Sequence, residues 1–315
     1  DPTQSMISNN IRSAMCVPME YLQDVHGIIY GDRVTSSGGS TKEDIDFFAA
    51  LGRLGAMGLA NVQLVEEIKS RNQVELQLRT AREIQANLFP AEPLRIEGLR
   101  IDAINDPGQR ISGDYYDYFV RADGLIAIVI ADVAGKGLPA SLLMANMQAA
   151  VRLAMDVETD IGKTIRQLNR LTCRNIRDSR FVTGMFGLLD MKARRLTYCN
   201  AGHLPPYLIQ DRKTLVKVEM EPSLPLGVDP SFDYQVATLD MSATPSMLVA
   251  YTDGVPDAEN EEGVQFGMTR FETALAANVS EPTDELVTRV RRSIKQFTRN
   301  HTPTDDITLL AIELA

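Results

Sequence analysis

Apolar residues follow two different rhythms along this chain of 315 residues. From Ile45 they recur at three- and four-residue steps through Phe48, Leu51, Leu54, Gly58, Val62, Val65 and Ile68. The pattern continues less strictly through Val74, Leu78, Ala81, Ile84 and Leu88. That period lines them up along one stripe of a helix. Ser40-x-x-Glu43 has the spacing of a capping box, and the next proline is Pro90, so one helix is expected from there as far as Leu88. A helix of that length without internal caps predicts a coiled coil or signalling linker, the alternative being a helix folded back on its own domain. Glu67/Arg71 and Glu75/Arg79 are favourable i,i+4 pairs on its wet face. Gly52, Gly55 and Gly58 weaken the helix but let another backbone approach.

Elsewhere the apolar stretches are short. Ile11–Tyr21 and Gly27–Val34 read as strands joined by the turn-rich Gln23–Gly27, and Ser36–Ser40 as a flexible loop. Beyond Pro90, strands are expected at Leu99–Asn105, Tyr116–Val120, Leu125–Asp132, Met185–Met191, Arg195–Asn200, Pro206–Ile209, Met247–Tyr251 and Ile307–Leu314. Helices are expected at Pro139–Met155, Thr159–Arg177, Arg270–Ala277 and Thr283–Asn300. Short turns such as Ala122-Asp123-Gly124 join several strands, which favours antiparallel sheets with helices outside over a doubly wound parallel sheet. Three regions are expected: residues 1–60, a helical linker at 61–89, and an α+β domain at 90–315.

Composition narrows the function classes. Acids outnumber bases 42 to 32, for a net charge of -10, which argues against non-specific binding to nucleic acid or an anionic membrane. The three cysteines, Cys16, Cys173 and Cys199, are widely spaced, suggest neither a disulfide framework nor a zinc knuckle, and fit a reducing cytoplasm. No apolar run reads as a membrane span and no secretory signal opens the chain. The first residue is Asp, which reads as a fragment of a longer polypeptide.

The chemistry is expected where apolar runs end on acids. Leu125–Met144 passes from a buried strand to Asp132, a Gly-Lys-Gly turn and a helix opened by Pro139. An acid there is costly unless paired, and Asp114, Asp253 and Asp305 or Asp306 stand at comparable positions. Any one of them alone reads as a turn or cap residue. Grouped carboxylates without His or Cys favour hard cations, Mg²⁺ or Mn²⁺, and two such ions can activate a bridging water at a phosphoryl group. The Asp132–Gly137 turn lacks P-loop spacing, yet Lys136 at a helix N-terminus is a phosphate contact or a solvated turn lysine. His203, in Asn200-Ala-Gly-His203, is a proton donor, a substrate contact or a loop organiser. Arg110 meets either a phosphate or a surface acid.

Taken in order, GDYYD, ADVAGKGLPASLLMA, CNAGHLPPYLI, LPLGV, YTDGVPDAEN and DDITLLAIEL resemble the SpoIIE/RsbU branch of the PPM (type-2C) metal-dependent serine/threonine phosphatases, over roughly residues 80–315. The resemblance implies an αββα sandwich of two antiparallel sheets flanked by helices. It implies hydrolysis of phosphoserine or phosphothreonine by metal-activated water, with two or more Mn²⁺ or Mg²⁺ ions. By motif, Asp114 falls on the first metal acid, Asp132 on the bridging acid, the Val133 carbonyl on a further ligand, and Asp253 on the acid of a later Asp-Gly motif. Asp305 aligns better than Asp306 with the final acid, and Asp117 is implied to act through water. The eukaryotic pattern has Asp-Gly-His-Gly where this chain has Asp132-Val-Ala-Gly, so that histidine is missing, as in the SpoIIE/RsbU branch.

Residues 1–70 resemble, more weakly, the C-terminal half of a GAF sensor domain, through IRSAMCVPMEY, GIIYGDRV and KEDIDFFAALGRLGAMGLAN. The family implies control by sensor and linker, and a phosphorylated STAS-domain anti-sigma-factor antagonist as substrate. The leading expectation is a regulated cytoplasmic phosphatase, homodimeric through Phe47–Leu88. The alternatives are a catalytically silent phosphoprotein-binding partner-switching module and a hydrolase of small phosphoesters.

Overall fold

The structure is a computed structural model describing residues 11, 13–34, 40–108, 111–176, 180–299, 301 and 303–315. The chain divides into two compact units, Asp1–Gln77 and Leu78–Ala315. The flexible loop expected at Ser36–Ser40 lies almost entirely outside the described residues.

In the first unit, β1 (Ser13–Tyr21) and β2 (Asp24–Arg33) form an antiparallel hairpin. Its turn is Leu22-Gln23 alone, with φ of 52° and 73°, which matches the twist of paired strands. The longer turn expected through Gly27 is therefore a misreading: Asp24, Val25 and His26 belong to β2, where Asp24 and Val25 pair with Tyr21 and Glu20 of β1. Helix α1 (Lys42–Ala86) follows and crosses the boundary between the units. Its capping box is shifted by one from the expected position. Thr41 N–H donates to Asp44 (2.9 Å) and Asp44 N–H to the Thr41 hydroxyl (3.1 Å). Gly52 is required by the hairpin, because a Cβ there would stand 2.8 Å from the Pro18 carbonyl oxygen. Arg71 pairs with Glu67 at 2.6 Å. Ile45, Leu54, Val62, Val65 and Ile68 stay exposed along this helix. By length and composition α1 is apolar enough to cross a membrane, a property the sequence reading did not assign to it.

The second unit continues with β3 (Leu94–Ile96), β4 (Leu99–Asp106), β5 (Tyr115–Val120), β6 (Ile126–Val133), α2 (Leu138–Val157), α3 (Ile161–Asn175), β7 (Val182–Asp190), β8 (Arg195–Ala201), β9 (Tyr207–Gln210) and β10 (Thr214–Lys217). It ends with β11 (Val236–Asp240), β12 (Ser246–Tyr251), the single turn α4 (Gly254–Asp257), α5 (Gly267–Ala276), α6 (Thr283–Thr298) and β13 (Ile307–Leu314). Two antiparallel sheets result, in the orders β10-β9-β12-β13-β4-β3 and β11-β8-β7-β6-β5.

The run Ile126–Ala131 is apolar throughout because both faces of β6 are covered. Ile126, Ile128 and Ile130 enter the core between the sheets, while Ala127, Val129 and Ala131 pack beneath α2 and α3. β13 divides the same way, with Leu310, Ile312 and Leu314 between the sheets and Leu309 and Ala311 beneath α5 and α6. Alternation thus serves two cores at once, and the layers are αββα as expected. At the end of α1, Leu78, Ala81 and Leu88 are partly buried and Gln85 is buried, while Ile84 is exposed. The expected stripe is off by one residue there.

Candidate metal centre

The acids converge because four strand ends meet at one edge of the sandwich. Asp114 immediately precedes β5, Asp132 is the penultimate residue of β6, Asp253 follows β12, and Asp305 and Asp306 lead into β13. Gly254 makes the approach of the last two segments possible: a Cβ there would lie 1.9 Å from the Asp306 carbonyl oxygen. The Val133 carbonyl oxygen faces the same loop, 3.3 Å from where a Cβ on Gly113 would stand.

Asp114 is buried, and its Oδ2 accepts hydrogen bonds from the hydroxyls of Thr252 (2.7 Å) and Thr308. Burial, then the carboxylates of Asp132 and Asp306, raise its carboxyl well above the usual range. Asp132 is half-buried and within hydrogen-bonding reach of Asp114. Desolvation, then Asp253 and Asp305, push it up to about 7. Asp253 stands on the solvent-facing rim and makes no side-chain cap bond to α4. Protein packed behind its carboxyl, then Asp305 and Asp257, raise it as well.

Asp305 and Asp306 separate clearly. Asp306 is buried and gives both carboxylate oxygens to backbone amides, those of Gly108 (2.8 Å) and Gly113 (2.5 Å). Asp305 is more open, faces Asp132 and Asp253, and meets Lys136 Nζ at 3.1 Å. Lys136 also donates to the Thr304 carbonyl (2.7 Å), so it stands at the rim of the acid group.

Two expected site residues are placed differently. Asp117 points beneath α2, fully buried, where Arg152 grips it bidentately at 2.6 and 2.7 Å and Tyr115 adds its hydroxyl (2.8 Å). It is a structural ion pair, not a water-mediated ligand. His203 is buried in its own loop: its N–H donates to the Asn200 side chain (2.8 Å), which donates back to the His203 carbonyl (3.2 Å). Nδ1 lies 3.3 Å from the Thr183 hydroxyl, and Nε2 is buried without a hydrogen-bond partner among the described residues. Burial lowers its pKa to about 4, so the ring is neutral near pH 7. Of its three expected roles, loop organiser is the one its contacts support, and a buried neutral ring is a much weaker acid than an imidazolium. Arg110 lies outside the described residues.

Thr252, Thr308, Ser112 and Gln85, which hold Asp114 and its loop in place, are not among the residues expected from the sequence. The signal for the two threonines was a hydroxyl residue at each strand end, in Thr252-Asp253 and Ile307-Thr308.

The donor set fits a hard divalent cation. It is all oxygen and graded from buried to exposed, and among the described residues no lysine or arginine forms an ion pair with Asp114, Asp132 or Asp253. The carboxylates are grouped without being drawn to one point, and no three described His, Cys, Asp or Glu residues stand at ligand spacing.

Two antiparallel sheets between helix layers, with acids from both sheets meeting at one edge, define the PP2C class of phosphatase fold. Residues 122–315 match the family described as Stage II sporulation protein E (SpoIIE), and the chain belongs to that family. It is 28% identical to Protein IcfG of Synechocystis sp. over 295 residues, covering 82% of this chain and 46% of that protein. It is 28% identical to Phosphoserine phosphatase RsbU of Bacillus subtilis over 248 residues, covering 78% of this chain and 72% of that protein. The SiaA-PP2C domain of Pseudomonas aeruginosa shares the fold, with a TM-score of 0.67 at 21% identity, over 78% of this chain and 99% of that domain. The chain spans about half the length of IcfG.

Proposed function

We propose that this chain is a metal-dependent protein serine/threonine phosphatase that hydrolyses phosphoserine or phosphothreonine on a protein. The observation that carries this reading is a group of acids brought together from four strand ends, partly buried and raised in pKa by burial and then by one another. Asp114, Asp132, Asp253, Asp305 and the Val133 carbonyl would hold two or more Mn²⁺ or Mg²⁺ ions. When bound, such ions lower the pKa of water and neutralise charge on a phosphoryl group. Asp306 organises the loops carrying Asp114 and Asp305 and is not itself a ligand in this reading. Lys136, on the exposed rim, is the residue that reaches a substrate phosphate, exchanging its contact with Asp305 for it. His203 takes no part in proton transfer, so the leaving oxygen takes its proton from solvent.

The substrate class is a phosphorylated STAS-domain antagonist, supported by family membership and by likeness to a protein named for phosphoserine. The exposed apolar stripe of α1 supports a homodimer formed through that helix, with the N-terminal GAF-like region as sensor. Charge and three free cysteines support a cytoplasmic setting without nucleic-acid or membrane partners.

The test is phosphate release from a phosphoserine STAS protein with Mn²⁺ or Mg²⁺, comparing wild type with Asp132→Asn. Metal-dependent release lost in the variant is expected. Bound Mn²⁺ without turnover would favour the silent partner-switching module, and a preference for small esters would favour the third reading.

A further inference from the structure

Three consecutive amides lead into Asp114, and each is committed. Gly113 N–H goes to Asp306, Asp114 N–H to the Ser112 hydroxyl (3.1 Å), and Ser112 N–H to the Gln85 side chain. The last bond belongs to a pair. Gln85 Oε1 accepts from Ser112 N–H at 2.9 Å, and Gln85 Nε2 donates to the Ser112 carbonyl at 2.7 Å. A carboxamide carries the same donor and acceptor as a peptide group, so Gln85 acts as a one-residue strand partner for a segment lying between β4 and β5. The Ser112 hydroxyl is itself fixed by Asn105 Nδ2 at 3.0 Å.

Gln85 is the penultimate residue of α1 and only 7% exposed. It takes an inward position while Ile84 beside it faces solvent. Burying a carboxamide in place of an aliphatic side chain is unfavourable unless its hydrogen bonds are made; here the two to Ser112 are joined by a longer one from Nε2 to Met144 Sδ at 3.7 Å.

We infer that Gln85 is a positioning residue for the metal centre, holding Ser112 so that Asp114 meets the cation in a fixed orientation. The inference rests on the proposal that Asp114 is a metal ligand. It makes the end of α1 part of the site's support, with ligand placement dependent on where that helix's last turn lies.

The experiment measures Mn²⁺ affinity by calorimetry, together with thermal unfolding of the metal-free protein, on the full chain. Gln85→Met keeps the length and apolar stem and deletes both bonds, and Mn²⁺ affinity is expected to fall about 10- to 100-fold, the range for outer partners of metal ligands. Gln85→Glu keeps an acceptor for Ser112 N–H and loses the donor, so it falls between wild type and Gln85→Met. At saturating Mn²⁺ both variants recover most of their kcat. A lower Tm with Mn²⁺ affinity within about twofold of wild type would make Gln85 merely structural and overturn the inference. If Gln85→Met does not fold, Gln85→Glu decides by the same criterion. Asp114→Asn separates the two ideas: unchanged Mn²⁺ affinity there overturns the metal assignment itself. Lost affinity there with normal affinity in both Gln85 variants overturns only the positioning role.

Discussion

The second unit holds two sets of acids in contrasting surroundings. Asp117, Asp106, Asp102 and Glu313 each carry an arginine: Arg152 at 2.6 Å, Arg291, Arg95 at 2.6 Å and Arg212 at 2.6 Å. Asp114 is held by two hydroxyls, Asp132 is crowded by Asp253 and Asp305, and Lys136 is the nearby cation on the rim. Both sets lie on or beside β-strands of one domain, so burial alone does not separate them. The difference lies in whether the fold has already supplied positive charge. Where it has, the acid is structural. Where it has supplied only dipoles, as at Asp114, the proposed metal ions would neutralise the charge that remains.

The largest expected effect comes from removing a member of the second set. Asp132→Asn should abolish metal-dependent phosphate release, by well over the ~100-fold that loss of an outer partner costs. The metal-free variant should also unfold at higher denaturant above neutral pH, by on the order of 1–2 kcal/mol, because one of several crowded carboxylates no longer ionises. Loss of release with lower metal-free stability would mean that these acids do not repel one another as their raised pKa values imply.

Breaking the first set should do the reverse. Arg152→Met leaves Asp117 buried with two hydrogen bonds but no counter-charge, and stability should drop by about 3 kcal/mol. That is the low end for a buried pair, since the Arg152 side chain is 43% exposed. Mn²⁺ affinity should stay near wild type. A large loss of affinity would return Asp117 to the metal site and erase the contrast.

These two variants also mark how far the sequence was readable. The motif acids stood out because each interrupts or ends an apolar run, as Asp132 does after Leu125–Ala131, and burial of both strand faces makes such interruptions visible. Asp117 sits in the same Gly113–Asp117 text as Asp114, yet its partner is 35 residues away on α2. Nothing local tells the two acids apart. Gln85 escaped because the helical step from Ala81 was taken one residue short, and it favoured the apolar Ile84 over the buried carboxamide next to it. β10 and β11 were missed for another reason. They are edge strands exposed along most of their length, so no apolar run announces them.

A third prediction concerns His203, which is kept neutral by burial. Its folded pKa is about 4 against 6.5 for the free side chain. The unfolded chain therefore takes up a proton below 6.5 that the folded chain refuses until about 4, so the stabilising contribution is full above that window and is lost as pH falls through it. Between pH 8 and pH 5 wild type should lose about 2 kcal/mol more stability than His203→Gln, whose side chain is neutral in both states. Denaturation curves at the two pH values measure this. Parallel losses would mean that the ring reaches solvent or a counter-charge, and the proton-donor role would reopen.

The smallest effect tests how the second set is held. The Thr252 hydroxyl donates to Asp114 Oδ2 at 2.7 Å and accepts the Thr308 N–H at 3.1 Å, while Thr308 supplies the other hydroxyl to the same oxygen. A hydroxyl orients a carboxylate without neutralising it, whereas an arginine in its place would satisfy the charge and compete with a cation. Thr252→Val preserves shape and removes one of the two donors. Mn²⁺ affinity should fall about tenfold, the low end for an outer partner, because the Thr308 hydroxyl remains. Adding Thr308→Val should cost more than the sum of the single changes, since each hydroxyl covers for the other at one shared oxygen. Calorimetric Mn²⁺ titration of the two single variants and the double variant measures that coupling. Strict additivity would show that the hydroxyls act independently and that Asp114 takes its orientation from the backbone, where Ser112 and Gln85 hold it.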